Sequence, residues 1–205
     1  MALLWAGGIQ AQERDFAYFG MGGGIAKMDL GSKSSFDAVA LARFGPPAGS
    51  SLDDSTDAWG LQVGYRFNRY VAAEVGYVDL GRGSYVANYP PSSRYSVRFL
   101  SSGPTLAVLG MFPVAARFDI HGRVGLFLSD TRVRDRVEDR STGAFQSVEP
   151  KGRDPDLTLG LGAAWNINES YSVRLELTRF MDVGKESQIP EQFDIDSLQF
   201  SVLFR

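Results

Sequence analysis

The feature that most constrains this chain is an apolar alternation of period two, returning in segments of about ten residues. Trp59, Leu61, Val63, Tyr65 and Phe67 share one parity, with Gly60, Gln62, Gly64 and Arg66 between them. After Asn68-Arg69 the pattern resumes, Val71, Ala73, Val75 and Tyr77 standing against Ala72, Glu74 and Gly76. Neighbouring side chains in a strand point to opposite faces, so each segment reads as a strand with one greasy face and one small or polar face. A two-residue link between two such strands makes a hairpin. The same template fits residues 118–128, 157–167, 171–177 and 198–204. A glycine-rich first strand places Ala17, Phe19, Met21, Gly23 and Ile25 on one face. Residues 95–111 supply the remaining strand, with Tyr95, Val97 and Phe99 leading its apolar face, and Pro104 predicts a bulge or an interrupted ladder in its middle. The strands so read total eight, an even number.

The connections alternate in length. Those at 68–69, 112–115 and 166–170 are short, whereas those at 29–56, 81–94, 129–155 and 183–196 are long, polar and rich in Gly, Pro, Ser and charge. An up-and-down barrel in a Gram-negative outer membrane has this layout, with tight periplasmic turns and long outer loops. The charge run at 132–140 then reads as part of a solvated third loop.

Aromatic placement decides which solvent the greasy face meets. Tyr65, Phe67, Phe118, Trp165, Tyr171 and Phe204 all stand beside short turns or the chain end in the outward parity, as an interfacial aromatic belt requires. The opposite parity carries Arg66, Glu74, Arg98, Asp119, Arg123, Arg174 and Glu176. Such a set does not line the apolar pocket of a water-soluble barrel, so the greasy face turns to lipid and the charges turn to the lumen. The predicted fold is all-β, an eight-stranded antiparallel up-and-down transmembrane β-barrel.

Composition agrees. The sequence has 205 residues, no cysteine, 23 glycines and a net charge of −3, which removes disulfides, thiolate metal sites and an electrostatic hold on nucleic acid. The longest apolar run is shorter than the roughly 18 residues of a spanning helix. Residues 1–11 combine a short apolar stretch with Ile9-Gln10-Ala11, the shape of a signal-peptidase site, and read as the truncated remnant of a secretory signal before a barrel domain at 12–205. At the other end the alternation of Leu198, Phe200, Val202 and Phe204 places its next outward position after Arg205, where a further aromatic is expected.

With these segments laid out, the chain resembles the transmembrane domain of the outer membrane protein A family across nearly all of residues 16–205. The residues that carry the resemblance are 59–67 (WGLQVGYRF), 73–77 (AEVGY), 122–125 (GRVG), 159–165 (LGLGAAW) and 173–177 (VRLEL). It implies a barrel with structural, surface-contact and sometimes weak porin-like roles, with Glu74, Arg123, Arg174 and Glu176 as a polar plug able to gate small solutes. The chain departs from the pattern in ending Leu203-Phe204-Arg205, and no residues remain in it for a cell-wall-binding domain.

His121, the single imidazole, lies in the inward parity just above a short turn, without an outward serine near it on its strand. A lipid-modifying enzyme needs base and nucleophile together on the substrate's side, so catalysis is not expected. Gly20, Gly22, Gly23 and Gly24 lack the lysine and the following helix of a phosphate loop and read as close strand packing. The expected function is a structural, surface-exposed barrel with four long extracellular loops and a side-chain-filled polar lumen. A narrow low-conductance pore is the alternative, and a lipid A-modifying enzyme comes third. Expected partners are outer-membrane lipid and lipopolysaccharide, and the barrel-assembly machinery during biogenesis, with no cofactor.

Overall fold

The structure, a computed structural model, describes residues 15–91, 93–139, 141–142, 145–148, 151–183 and 193–205, and the backbone alone at 151–153. The signal remnant at 1–11 and most of the fourth connection, 184–192, lie outside the described residues. Eight antiparallel strands form the ring: β1 (Phe16–Met28), β3 (Ser55–Arg66), β4 (Val71–Tyr89), β5 (Ser93–Ala115), β6 (Phe118–Asp139), β8 (Lys151–Asn166), β9 (Tyr171–Val183) and β10 (Phe193–Phe204). The ring closes where β1 pairs with β10, Phe19 opposite Phe204 and Ile25 opposite Leu198. Closure leaves no sheet edge inside the membrane, where an unpaired backbone group would find no water. Two short strands, β2 (Gly49–Asp53) and β7 (Phe145–Val148), add to the outer ends of β4 and β6. Among the described residues no helix is long and apolar enough to span a membrane.

Parity follows the sequence reading on seven of the eight strands. Val75 is 54% exposed and Leu161 71%, while Glu74 and Thr158 on the alternate parity are buried. In β5 the parity is the reverse of the expected one. Val97, Phe99, Ser101, Ala107, Leu109 and Met111 turn inward, and Arg98 is exposed on the outer wall. Two causes combine. In the lower half both faces are apolar, Leu106 and Val108 facing out and Leu109 and Met111 packing inward. In the upper half, above the lipid, the outside meets water and the inside a packed core, so polarity no longer marks the outer face.

The second and third long connections are therefore not loops. The ladder between β4 and β5 continues to Tyr89 opposite Ser93, and that between β5 and β6 to Ser93 opposite Asp139. The charge run from Arg132 to Asp139 is strand, and Arg140 lies outside the described residues. Pro104 does interrupt the ladder to β6, which pairs Ser102 with Asp130 and next Thr105 with Phe127. The bulge lies instead on β4, where Asp79 faces Ser102 and Arg82 faces Leu100. Gly81, at φ 72°, supplies the extra residue. A Cβ there would collide with Thr56 Oγ1 and the Asp57 carbonyl. One inserted residue flips every later side chain, so the inward set changes from Val78 and Leu80 to Gly83, Tyr85 and Ala87. The second tight turn falls at Ala116-Arg117 rather than at 112–115, because Pro113 is accommodated at a register shift while the strand runs on to Ala115.

Within the first long connection a helix, α1 (Lys33–Phe44), was not predicted. Its signals are local: Ser32 caps the start by accepting from the Ser35 amide, and Gly45, at φ 84°, ends it by donating to the Leu41 carbonyl. Phe36 stacks on Tyr85 with ring centroids 5.1 Å apart and meets Phe99 edge-on at 6.1 Å. Helix α1 thus covers an apolar core of Met28, Leu80, Phe99, Phe127, Phe180 and Ile195 in the outer part of the barrel. The lumen is therefore not wholly polar as expected: at the height of this core apolar side chains share the interior with buried Ser129, Thr131, Asp154 and Asp156.

Candidate functional site

The inward charges meet at mid-barrel. Glu74 sits on β4, Arg123 on β6, and Arg174 and Glu176 on β9. In the ring order β1-β3-β4-β5-β6-β8-β9-β10, β4 and β9 stand four strands apart in either direction. A contact between them therefore crosses the full lumen. Arg174 Nη1 donates to Glu74 Oε1 at 2.6 Å, and Arg123 Nη1 donates to Glu74 Oε2 at 2.7 Å and to Glu176 Oε1 at 3.3 Å. Arg174 also lies 4.0 Å from Glu176, so two carboxylates and two guanidiniums alternate in one cluster. Glu74 is 1% exposed and Arg174 2%. Buried charges of opposite sign in hydrogen-bonded contact avoid the several kcal/mol that each would cost alone.

Two members of the cluster were outside the expected network. Tyr18 on β1 donates to Glu74 Oε1 at 2.6 Å, and His121 Nε2 lies 2.7 Å from Glu176 Oε2. Both are explained by glycine on the facing strand. A Cβ at Gly64 would overlap the Tyr18 ring, and one at Gly162 would stand 2.5 Å from His121 Cε1. The signal was present in the sequence as inward-parity glycines opposite long polar side chains.

Arg66 and Asp119, expected in the same network, form a second cluster nearer the short turns. Arg66 Nη1 lies 3.3 Å from Asp119 Oδ2, which also accepts from Asn166 Nδ2 at 3.1 Å. Arg205 donates to Ser172 Oγ at 2.7 Å and to Asn166 Oδ1, closing the periplasmic end. Arg98 belongs to neither cluster. Cavities of about 40 Å³ above Arg174 and about 20 Å³ below it both touch that side chain. Each has room for only one to roughly three waters.

Outside, Tyr65, Phe67, Phe118, Trp165, Tyr171 and Phe204 are all exposed on the wall around the turn-side end. Tyr65 packs edge-on against Phe67 at 5.1 Å, and Tyr171 against Phe204 at 5.5 Å. Trp59 and Tyr77, 6.0 Å apart, are exposed nearer the outer end and were not assigned to the belt. Among the described residues no group of three or more His, Asp or Glu is placed to hold a metal.

At the outer mouth α1 is held by polar contacts as well as by rings. Tyr85 Oη donates to Asp37 Oδ1 at 2.7 Å, and Lys33 reaches Asp37 at 3.0 Å. Hydrogen bonds from Ser50, Tyr85 and Lys33 hold the Asp37 carboxyl down to about 2.

A closed ring of eight antiparallel strands, greasy outside, charged at mid-lumen and joined by tight turns at one end, defines a small bacterial outer-membrane β-barrel. The chain belongs to the OmpA-like transmembrane domain family, whose model matches residues 12–205. Outer membrane protein A of Yersinia pseudotuberculosis serotype I is 28% identical over 149 residues, covering 71% of this chain and 39% of that protein. Its Klebsiella pneumoniae counterpart is 26% identical over 157 residues, covering 77% and 43%. The chain thus spans about two-fifths of the length of these relatives. Among solved structures, Ail, the attachment invasion locus protein of Yersinia pestis, aligns over 94% of this chain and 98% of its own with 11% identity and a TM-score of 0.49. Neisserial surface protein A aligns over 94% and 99% with 13% identity and a TM-score of 0.49.

Proposed function

We propose that this barrel is a sealed, non-enzymatic structural element of the outer membrane whose recognition chemistry lies on its extracellular hairpins. The observation that carries this reading is the double closure of the lumen. The Glu74–Arg123–Arg174–Glu176 cluster crosses it at mid-height, and the apolar core under α1 fills it above. A solute entering from either side meets packed side chains. His121 faces the lumen, 3% exposed and bonded to Glu176, away from any lipid substrate. Its partners on this reading are outer-membrane lipid and lipopolysaccharide around the wall, and the barrel-assembly machinery during insertion.

A narrow pore is the competing reading. It is favoured by the placement of Arg174 between the two cavities, since movement of that one side chain would join them. Planar-bilayer recordings separate the two. A sealed barrel shows no discrete conductance steps in the wild type, and regular openings would overturn the proposal in favour of the pore.

A further inference from the structure

The charges of the lower lumen do not cancel. Among the described residues Arg66, Arg123, Arg174 and Arg205 reach it between the periplasmic turns and mid-barrel, against the carboxylates of Glu74, Asp119 and Glu176. Arg66 is paired with Asp119 at 3.3 Å, and Arg123 and Arg174 with Glu74 at 2.7 and 2.6 Å. Arg205 makes no ion pair among the described residues. It follows buried Leu203 in the inward parity, and its backbone amide donates to the Ser170 carbonyl at 3.0 Å, which fixes the strand end. Its Nη2 donates to two neutral groups, Asn166 Oδ1 and Ser172 Oγ, and its guanidinium lies 4.7 Å over the Phe16 ring. Its Nε and Nη1 have no hydrogen bond to a described residue.

Arg205 and Arg174 line the same cavity, the one of about 20 Å³ below the mid-barrel cluster. Arg174 is 2% exposed, and its buried Nε has no hydrogen-bond partner. Phe16, Met111, Ala164 and Leu203 supply apolar wall. The acceptors at hand are already engaged, Asn166 Oδ1 by Ser172 and Arg205, and Asp119 Oδ2 by Arg66 and Asn166 Nδ2. The cavity therefore offers a guest N–H donors and a surplus positive charge, and its apolar wall strengthens both. A cation would meet like charge there, and a neutral molecule would leave the surplus uncompensated. A monovalent anion answers both. The volume admits a guest close to water in size, as chloride is, and excludes the much larger phosphate and sulfate.

We propose that the lower lumen binds a chloride ion between Arg174 and Arg205, admitted from the periplasmic face, where Arg205 is exposed. The ion compensates the surplus charge and holds the Arg174 side chain while Glu74 holds its Nη1. The site lies on the periplasmic side of the mid-barrel cluster and is independent of whether the lumen conducts.

The test uses the full chain refolded in a nonionic detergent and reads the chlorine-35 linewidth during a titration with sodium chloride. Sodium gluconate, whose anion is too large to enter, holds the ionic strength constant. Wild type broadens the line saturably, and added bromide removes the broadening by competition. Arg205→Gln weakens chloride binding about tenfold or more. Ala164→Leu, which fills the cavity without altering a charge, does the same. Arg179→Gln, which removes the same charge from the outer wall, changes the affinity by less than about twofold. Heat-modifiable gel migration establishes that each variant is folded. If Ala164→Leu does not fold, Ala164→Val replaces it, with an expected weakening of about threefold. Absence of saturable broadening in wild type, unchanged affinity in Arg205→Gln or in the folded cavity-filling variant, or an equal loss in Arg179→Gln would each overturn the proposal.

Discussion

Arg174 of β9 reaches across the barrel to Glu74 of β4, Nη1 to Oε1 at 2.6 Å, so two residues 100 positions apart in the chain meet across its lumen. Glu74 also accepts from Arg123 and Tyr18, which makes it the hub of the cluster. Glu74→Ala strands two guanidiniums in a confined site and is expected to cost about 3–5 kcal/mol. The midpoint of urea unfolding, followed by the heat-modifiable gel band, measures it. Glu74→Leu combined with Arg174→Met should cost less than the sum of the single changes, because neither charge is then left alone.

Arg123→Ala removes both volume and a partner of Glu74 and Glu176. Small-ion conductance in planar bilayers should rise in this variant relative to wild type, while the outer-wall variant Arg179→Gln should leave it unchanged. Unchanged conductance in a folded Arg123→Ala barrel would show that the core under α1 suffices to seal the lumen.

Val75 and Leu161 stand in the lipid-facing parity, 54% and 71% exposed. Val75→Arg or Leu161→Arg should destabilise the inserted barrel by about 2–4 kcal/mol in vesicle refolding titrations. Gly160→Ser, turned to the lumen and tight against Thr178 Oγ1 at 3.1 Å, should cost less. Equal tolerance of arginine on both faces would contradict the lipid assignment.

Gly81 carries the bulge that reverses parity in β4. Gly81→Ala places a Cβ at positive φ, a cost of about 1–2 kcal/mol before its collision with Thr56 and Asp57 is added. Amide exchange should quicken in the β4–β5 hairpin beyond Leu80 and stay slow around Val63 and Val75, where the barrel is independent of the bulge.

The docking of α1 should depend on pH in a defined window. The Asp37 carboxyl is held at about 2, below its ordinary 3.8, so the docked helix favours the ionised form. That stabilisation is complete above about pH 4 and is lost as the pH falls through about 2. Pepsin cleavage within α1 should accelerate over that fall in wild type, whereas Asp37→Asn should be cleaved readily across the whole window.

Strand number, the tight-turn end and the lipid-facing parity were legible in residues such as Trp59–Phe67 and Leu157–Trp165, because inside the membrane one face meets hydrocarbon and the other does not. The mid-lumen charge cluster was legible residue by residue in Glu74, Arg123, Arg174 and Glu176, but its separation from the Arg66–Asp119 cluster was not. Parity reports which face a side chain joins and carries no information on height along the lumen.

The sequence by itself determined a barrel of eight strands and the solvent outside it, since a period of two in an apolar pattern is a local property of the chain. The tertiary structure alone decided where that rule stops. Gly81 shifts the parity of β4, Arg98 turns outward on β5, and α1, which in the sequence reads as polar loop, caps an apolar core. Above the lipid the hydrocarbon no longer selects the outer face, and what lies inside depends on which distant residues, Phe36 and Phe99 among them, the closed ring brings into contact.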